Sequence, residues 1–429
     1  MTNIHKNFEQ LKKDIHDYSG ITGDSREVRE NFIFVAVKGI TSDGHKFIEE
    51  AIKNGAKLIV GEEDLKIDNA KYIKVEDSRE ALGQLASEWY GNPSDKLKLI
   101  GVTGTKGKTT TCFIIYHMLT KLGKKTGLVT SIAAKIGEKE ADTGFHVTSP
   151  DVISLHKFLK EMVDAGCEYA VIEVSSHGID QKRIAGVKFR IGALTNIAPE
   201  HLDYHKTFGE YKKVKKSFIE SSKYKVLGPT ETGLNILPGK FNNLNIETAL
   251  KVMDFLEIDR NSAIRAMDTF ELPEGRLEEI KNDKGIRIFV DFAHTPDSLE
   301  AALTYLRLET KGKLIAVFGC AGERDSYKRP KMGKVASELA DEVILTAEDP
   351  RSEKAEDIIA QIKKGMTLGN STVHSEPDRK KAIEIALGIA KKGDLVGIFG
   401  KGHEKSMNLD GVHEIPWSDK KIVREYISK

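Results

Sequence analysis

Cysteine is scarce: three in 429 residues, at Cys112, Cys167 and Cys320, far apart and never in a C-x-x-C spacing. That spacing reads as reduced, buried thiols of a cytoplasmic protein rather than a bonded framework. No apolar run approaches the roughly 20 residues that cross a bilayer, so no membrane insertion is expected. Neither sign of charge prevails, with 66 lysines and arginines against 65 aspartates and glutamates, which argues against a nucleic-acid or polyanion surface. Internal repeats and low-complexity tracts are missing too, and the polar, mixed-charge start MTNIHKNFEQLKKDIHDY does not read as a signal peptide. What remains is too long for one ordinary core, and its 31% charged residues, 37 glycines and 11 prolines suit two or three α/β domains.

Short β-branched runs alternate with helical patterns along the chain. The early pattern predicts strands at 33–37, 57–60 and 72–75 and helices at 47–54 and 78–90. The turn cluster Gly91-Asn92-Pro93-Ser94 marks a boundary, and Leu272-Pro273-Glu274-Gly275 marks another. Strands are predicted between them at 97–102, 126–131, 169–174 and 190–196, and beyond them at 286–292, 313–318, 342–346 and 395–399. Such alternation implies largely parallel sheets with crossovers, an α/β fold in three domains at 1–93, 94–273 and 274–429. Polar or glycine-bearing loops follow the strands, where open α/β sheets place ligands.

The most telling stretch is LKLIGVTGTKGKTTT, Leu97 to Thr111. A strand-like run breaks into Gly104-Thr105-Lys106-Gly107-Lys108-Thr109-Thr110, and a helical pattern follows through Phe113, Ile114, Met118, Leu119 and Leu122. Glycines let backbone N–H groups approach phosphates, and the helix N-terminus adds its positive dipole end. Lys108 can neutralise β- and γ-phosphate charge, and the Thr109 hydroxyl can reach a magnesium ion. The strict G-x-x-x-x-G-K-T pattern fails at one place, because Val102 stands where the first glycine belongs. A nucleotide-binding loop is expected here.

Further clusters stand at predicted strand ends. Glu173-Val174-Ser175-Ser176-His177 places a carboxylate where it can hold magnesium through a hard oxygen. Gln181 and Arg183 follow shortly and offer a donor fork to an anionic substrate. The run NIAPEHLDYH collects Glu200, His201, Asp203 and His205 as potential metal ligands. Tyr211-Lys212-Lys213-Val214-Lys215-Lys216 opens a helix, with three of its four lysines expected in solvent and one free to turn inward. A buried lysine sheds its proton readily, and the neutral amine can add to CO2 as a carbamate. Farther on, Asp291-Phe292-Ala293-His294, Gly319-Cys320-Ala321-Gly322-Glu323-Arg324, Glu348-Asp349-Pro350-Arg351 and Gly400-Lys401-Gly402-His403-Glu404 each end a strand. Arginines for a carboxylate and acids for an ammonium describe a site for a zwitterion.

In this order the clusters resemble the Mur ligases, the ATP-dependent amino-acid ligases of peptidoglycan synthesis, nearly end to end. Asp24-Ser25-Arg26-Glu27-Val28 matches the family's uridine-diphosphate motif D-S-R-x-V, and Asp43-Gly44-His45-Lys46-Phe47 its D-G-H-x-F. Thr148-Ser149-Pro150-Asp151 resembles the T-T-P-D that contacts the muramoyl dipeptide. Glu200 to His205 matches E/D-H-L-D-Y-H, and Gly239-x-Phe241-Asn242-x-x-Asn245 resembles the motif that contacts the nucleotide. Asp291 to Leu299 matches D-Y-A-H-T-P-D-S-L, with Phe292 for tyrosine. The resemblance implies an N-terminal UDP-binding α/β domain, a central P-loop parallel-sheet ATPase domain and a C-terminal Rossmann-like domain.

It also implies roles for individual residues. Lys108, Glu173, His201 and Lys215, the last as a carbamate, would carry catalysis, and Thr109, Glu173, His201 and Lys215 would arrange two magnesium ions. ATP would lie on Gly104, Thr105, Lys106, Gly107, Lys108, Thr109, Thr110, Asn242, Asn245, Arg276, Asp291 and His294. The UDP-muramoyl substrate would meet Ser25, Arg26, Thr148, Ser149, Ser175, Gln181 and Arg183.

Within the family the chain resembles the branch that adds diaminopimelate or lysine to UDP-N-acetylmuramoyl-L-alanyl-D-glutamate through an acyl phosphate. Arg324, Glu348, Asp349, Pro350, Arg351, Gly400 and Glu404 would then receive the amino acid. Arg351 favours diaminopimelate over lysine, because an arginine opposite a second carboxylate gives bidentate recognition. The implied partners are the nucleotide-linked dipeptide and the diamino acid, handled by a monomer in the cytoplasm. Three departures stand out: Lys106 and Asp349 each replace an asparagine, and the segment from Lys216 to Gly239 omits dozens of residues usual in the family. The omission motivates a competing reading, a relative that binds UDP-muramoyl ligands and ATP without ligating them. Another ligase of the superfamily is the remaining alternative, with D-S-R-x-V speaking against the folate branch.

Overall fold

The computed structural model describes residues 3–39, 42–141, 149–367, 369 and 371–429. Thr148, expected at the muramoyl site, lies outside them. The chain packs as two compact units. The first comprises residues up to 197 with 212–228 and 248–268, and the second comprises 198–211, 229–247 and 269–429.

The first unit holds two sheets. In one, β1 (Gly20–Thr22), β2 (Phe32–Val35), β3 (Ala56–Gly61) and β4 (Lys71–Lys74) lie side by side in sequence order, all parallel. The other contains β5 (Lys98–Thr103), β6 (Thr126–Val129), β7 (Ala134–Ile136), β8 (Lys139–Ala141), β9 (Tyr169–Glu173), β10 (Ile191–Leu194) and β11 (Tyr224–Leu227). Its order is β11-β10-β5-β9-β6-β7-β8, parallel as far as β6, with β7 and β8 adding an antiparallel edge. β5 therefore sits between β10 and β9, and all but its first residue are buried. Such a strand reads as a continuous apolar run because helices cover both faces.

The first sheet's core extends to segments that follow the second sheet's strands: Ile33 and Leu58 pack in one cluster with Leu82 and Leu85 of the helix Ser78–Trp89 and with Val152 and Ala185. Asp77 caps that helix by accepting from Glu80 N, and Lys182 Nζ bridges Asp77 at 2.6 Å and Glu80 at 3.4 Å. Gly83 lies so close to Ala185 that a Cβ would overlap it.

The second unit is wound on both faces. β12 (Glu278–Glu279), β13 (Arg287–Asp291), β14 (Leu314–Phe318), β15 (Glu342–Leu345), β16 (Thr372–Ser375) and β17 (Leu395–Phe399) run in the order β12-β13-β17-β14-β15-β16. All are parallel except β12. Alternate residues face opposite cores: Phe289, Leu314, Ala316, Phe318 and Val343 pack with the helices Pro296–Glu309, Lys328–Leu339 and Ala355–Lys363. Ile288, Val290, Ile315, Val317 and Ile344 pack with Arg379–Ile389 and Asp419–Ile427. This period of two is what a sheet covered on both sides requires. β18 (Ser406–Asn408) and β19 (Glu414–Pro416) form a separate antiparallel hairpin.

The α/β class and its parallel sheets are as expected, and the differences are local. The helix expected to open at Tyr211 opens at Phe208. β1, β7, β8, β11, β12, β16, β18 and β19 were not anticipated, because each has four residues or fewer and several are polar. Between β11 and the helix Lys240–Phe255, residues 228–239 form neither strand nor helix. Asn243 holds that stretch together: Oδ1 accepts from Ile236 N and Leu237 N, and Nδ2 donates to Leu237 O and Gly239 O.

Gly83→Val is expected to destabilise the first unit by about 2 kcal/mol, the cost of overpacking a closed interface. The urea unfolding midpoint reads this directly, and an unchanged midpoint would show that Ala185 moves aside.

Candidate active site

β5 runs into the glycine loop, and the loop closes onto the helix Lys108–Lys121. Gly104 takes φ +154° and Gly107 φ +78°, where a side chain is strained. Space also decides at Gly104, since a Cβ would overlap the Thr195 hydroxyl just past β10. Thr195 Oγ1 donates to Lys106 O at 2.6 Å. Asn196 grips the same residue twice, Oδ1 accepting from Lys106 N and Nδ2 donating to Lys106 O, both at 2.9 Å. The helix begins after Gly107 with no side-chain cap, the arrangement in which first-turn N–H groups receive an anion. Lys108 Nζ folds back to donate to Thr105 O at 3.1 Å.

The neighbouring strands supply oxygens and a lysine. Glu173, at the end of β9, pairs in register with Val102 and is buried. Its Oε2 accepts from Thr109 Oγ1 at 3.0 Å, from Ser131 N at 3.1 Å and from Ser131 Oγ at 3.3 Å. Thr109 and Glu173, expected as metal ligands, are thus brought together. Ser131 was missed, and its signal in the sequence is its place as the last residue of a predicted strand. Of the four lysines in the helix Phe208–Ser221, Lys215 is 1% exposed while Lys212, Lys213 and Lys216 lie in solvent. Lys215 Nζ donates to Gly104 O at 2.8 Å and to Thr103 Oγ1 at 3.3 Å. Burial pushes the Cys112 thiol well above its ordinary value, so it is inert.

Beside Glu173 stand four residues expected at the muramoyl substrate. Ser149 Oγ lies 3.1 Å from Ser175 Oγ, and Arg183 Nη1 donates to Ser149 O at 2.9 Å. Arg183 Nε and Nη2 also donate to Gln181 Oε1, at 3.1 and 2.7 Å. In the N-terminal sheet, Ser25 is buried and donates to Glu50 Oε2 at 2.7 Å. Arg26, 81% exposed, forms a fork on Asp24, which holds that carboxyl below its usual range. Asp43, His45 and Glu63 gather nearby, but His45 Nδ1 faces Asp43 Oδ1 at 2.6 Å and Nε2 accepts from Glu62 N at 2.9 Å. Both ring nitrogens serve the fold, so this cluster is a latch and not a metal centre.

The remaining expected residues belong to the second unit, described by itself. His201 is exposed, has φ +56° and precedes the short helix Leu202–His205, while His205 is buried against the Tyr211 ring. Asn242 and Asn245 are buried, with Asn242 Nδ2 donating to Pro238 O at 2.7 Å. The Arg276 guanidinium lies 4.8 Å over the Phe292 ring, which is flanked by the His294 and His403 rings at 4.6 and 5.1 Å. The Asp291 carboxylate accepts from Leu277 N at 2.7 Å and Ala293 N at 2.8 Å, and burial nonetheless pushes its carboxyl up. Burial, aided by Arg276, pushes His403 down to about 3, so this imidazole is neutral at physiological pH.

The expected acceptor residues gather at the ends of β15 and β17. Arg379, fully buried with Asp419, donates to Ala347 O at 3.0 Å and to Phe399 O at 2.9 Å. These carbonyls immediately precede Glu348 and Gly400, so one guanidinium sets both loops. Glu348 is buried, its carboxyl is pushed up by burial, and its Oε2 has no hydrogen-bond partner among the described residues. Asp349 Oδ1 accepts from Lys401 Nζ at 2.8 Å and from Asn408 N at 3.0 Å. Lys401 also pairs with Glu404 at 2.6 Å. Arg351 has φ +54° and donates from Nη1 to Gly322 O at 3.2 Å and from N to Asn408 O at 3.2 Å. Pro350 packs so that a Cβ on Gly322 would overlap its carbonyl, and Arg324 is exposed. Lys401 stood in an expected cluster without an assigned role, and Asn408 was not expected at this site.

Three family models match the chain in sequence order. They are the Mur ligase family catalytic domain at residues 17–90, the Mur ligase middle domain at 102–253 and the Mur ligase glutamate ligase domain at 275–402. A UDP-N-acetylmuramoyl-L-alanyl-D-glutamate–2,6-diaminopimelate ligase of Cytophaga hutchinsonii is 38% identical, with 96% of this chain and 95% of that one covered. A ligase of the same name from Aquifex aeolicus is also 38% identical, over 95% of this chain and 93% of its own. A solved structure of a ligase of that name superposes with a TM-score of 0.64 at 27% identity, covering 96% of this chain and 95% of that one. A MurF ligase from Thermotoga maritima, in complex with ADP, shares the fold with a TM-score of 0.61 at 21% identity, over 100% and 98% of the two chains. The chain belongs to the Mur ligase family. The alignment to the Cytophaga relative runs over 463 positions, more than the 429 residues present here, so it opens gaps in this chain.

Thr195→Val removes the hydroxyl that holds Lys106 O and is expected to weaken ATP binding about five-fold, the worth of one hydrogen bond at a preorganised loop. Isothermal titration against the parent chain checks this, and equal affinities would show that Asn196 alone fixes the loop.

Proposed function

We propose that the chain joins 2,6-diaminopimelate to UDP-N-acetylmuramoyl-L-alanyl-D-glutamate with consumption of ATP. One observation carries the reading: the chain is 38% identical, over 96% of its length, to a ligase of that name. The geometry suits the chemistry. The loop Gly104 to Thr110 cradles the phosphates, and Lys108 neutralises the charge on the transferred group. The D-glutamyl carboxylate, held by Ser149, Ser175, Gln181 and Arg183, attacks the γ-phosphorus; the bond to ADP breaks and an acyl phosphate forms. The amine of the diamino acid then attacks the acyl carbon, phosphate leaves, and the amine loses a proton. Most of the rate comes from holding reactants in line.

Thr109 and Glu173 are hard oxygen donors set 3.0 Å apart, which fits magnesium. With His201 they would hold two ions, which when bound neutralise charge on the transferred phosphoryl group. Lys215 would join them as a carbamate: its neutral amine adds to the carbon of CO2, one N–C bond forms and one proton leaves. Its buried place beside the glycine loop, with Nζ 2.8 Å from Gly104 O, supports this. ATP would also contact Asn242, Asn245, Arg276, Asp291 and His294, and the uridine end would lie on Ser25 and Arg26. Glu348, Asp349 and Glu404 suit the ammonium groups of the acceptor, and Arg324 and Arg351 its carboxylates. Substrates carried on ATP and UDP assign the reaction to the cytoplasm.

Incubating the chain with ATP, magnesium, the UDP-muramoyl dipeptide and either diaminopimelate or lysine, then weighing the product, tests the reading. A mass increase with diaminopimelate is expected. Product with lysine alone would reassign the acceptor, and ATP binding without any product would make the chain a binding relative. Lys215→Ala is expected to cut turnover by about 100-fold or more, as losing one preorganised charge at a reacting phosphate does. Short carboxylic acids should restore part of it and bicarbonate should not; an active alanine variant that acids leave unchanged would refute the carbamate.

A further inference from the structure

Lys401 is the one fully buried lysine at the acceptor loops, 0% exposed, and no step above uses it. Its ammonium touches two carboxylates on different segments, Asp349 Oδ1 at 2.8 Å after β15 and Glu404 Oε2 at 2.6 Å after β17. Asp349 Oδ1 also accepts from Asn408 N at 3.0 Å, and Asn408 O in turn accepts from Arg351 N at 3.2 Å. A chain of contacts therefore runs from Glu404 through Lys401 and Asp349 to the β18–β19 hairpin and back to Arg351. Glu348, Asp349, Arg351 and Glu404 are on that chain or next to it. Glu348 adjoins Asp349, and its buried Oε2 has no hydrogen-bond partner among the described residues.

We infer that Lys401 is the positioning residue of the acceptor site, a buried strut that holds Asp349 and Glu404 in place and through Asn408 orients Arg351 for a zwitterionic amino acid. The inference rests on the ligase reading above. Without the ammonium, two carboxylates would be left close together in a water-poor pocket, where like charges repel and shift apart. The amino-acid site would lose its shape while the glycine loop, built on other strands, would keep its own. Asp349 favours a cation here: its largely buried carboxylate is stabilised by a charged partner, and Lys401 Nζ is within hydrogen-bond distance.

The test is steady-state kinetics on the full chain with all three substrates varied. Lys401→Met is expected to raise KM for diaminopimelate about ten-fold or more, the usual cost of breaking a charge-assisted contact, while KM for ATP and for the UDP-muramoyl dipeptide stays within about two-fold. Lys401→Arg keeps the charge in a bulkier, planar head and should give an intermediate KM. The pair Asp349→Asn with Lys401→Met removes one charge of each sign, which guards against a variant that fails only through charge imbalance. If the strut is real, this pair keeps a raised KM for diaminopimelate at normal ATP affinity, because the Lys401–Glu404 ion pair is still broken. A KM for diaminopimelate at the parent value in both Lys401→Met and the pair overturns the inference alone. No ligation by the parent chain overturns the ligase reading and this inference with it.

Discussion

The glycine loop after β5 must leave backbone N–H groups open to a ligand and yet keep one conformation, and the rest of the first unit is arranged around that demand. Unmet donors cost free energy, and within the loop Lys108 Nζ steadies the Thr105 carbonyl. The loop is also fixed from behind. Thr195 and Asn196, just past β10, grip Lys106, and Lys215 on a separate helix holds the Gly104 carbonyl. Glycine is required at 104 because the Thr195 hydroxyl occupies the space of a Cβ. The order β10-β5-β9 is what places Thr195 on one side of the loop and Glu173 on the other. Strand order thus comes before chemistry.

The second unit meets a parallel demand with buried charge. Arg379 with Asp419, Arg329 with Glu353, and Lys401 with Asp349 and Glu404 put cations where little water reaches. Removing a charge from water costs several kcal/mol unless a partner compensates, so such pairs orient the chain more than they stabilise it. Arg379 shows the effect, since its donors end on the carbonyls just before Glu348 and Gly400. The loops after β15 and β17 are tied together by that one side chain.

Much of this was legible from local patterns. The glycine loop, the strand-end Glu173 and the helices capped by Asp77, Asp151 and Asp378 are written in residue type and short spacing. Short strands such as β16, exposed along most of its four residues, carry too little apolar pattern to be seen. One lysine of four in the helix Phe208–Ser221 was expected to turn inward, and burial singles out Lys215. Asp43 and His45 look like metal ligands by type, yet the Glu62 N–H takes the free ring nitrogen. Thr195 and Asn408 gave no signal, and Ser131 and Lys401 stood at predicted strand ends without a role, because a serine, threonine, lysine or asparagine there is ordinary until its partner is known.

The amino-acid order alone therefore determined the α/β class, the phosphate loop and the kinds of group available at each strand end. These depend on residues a few positions apart, which local backbone conformation brings together. Only the tertiary structure decided which groups meet. Thr103 and Lys215 are 112 residues apart and hydrogen-bonded, and Asp349 and Lys401 are 52 apart and paired. Such contacts follow from strand order and helix packing, long-range consequences of burying both faces of each sheet, and no local spacing encodes them.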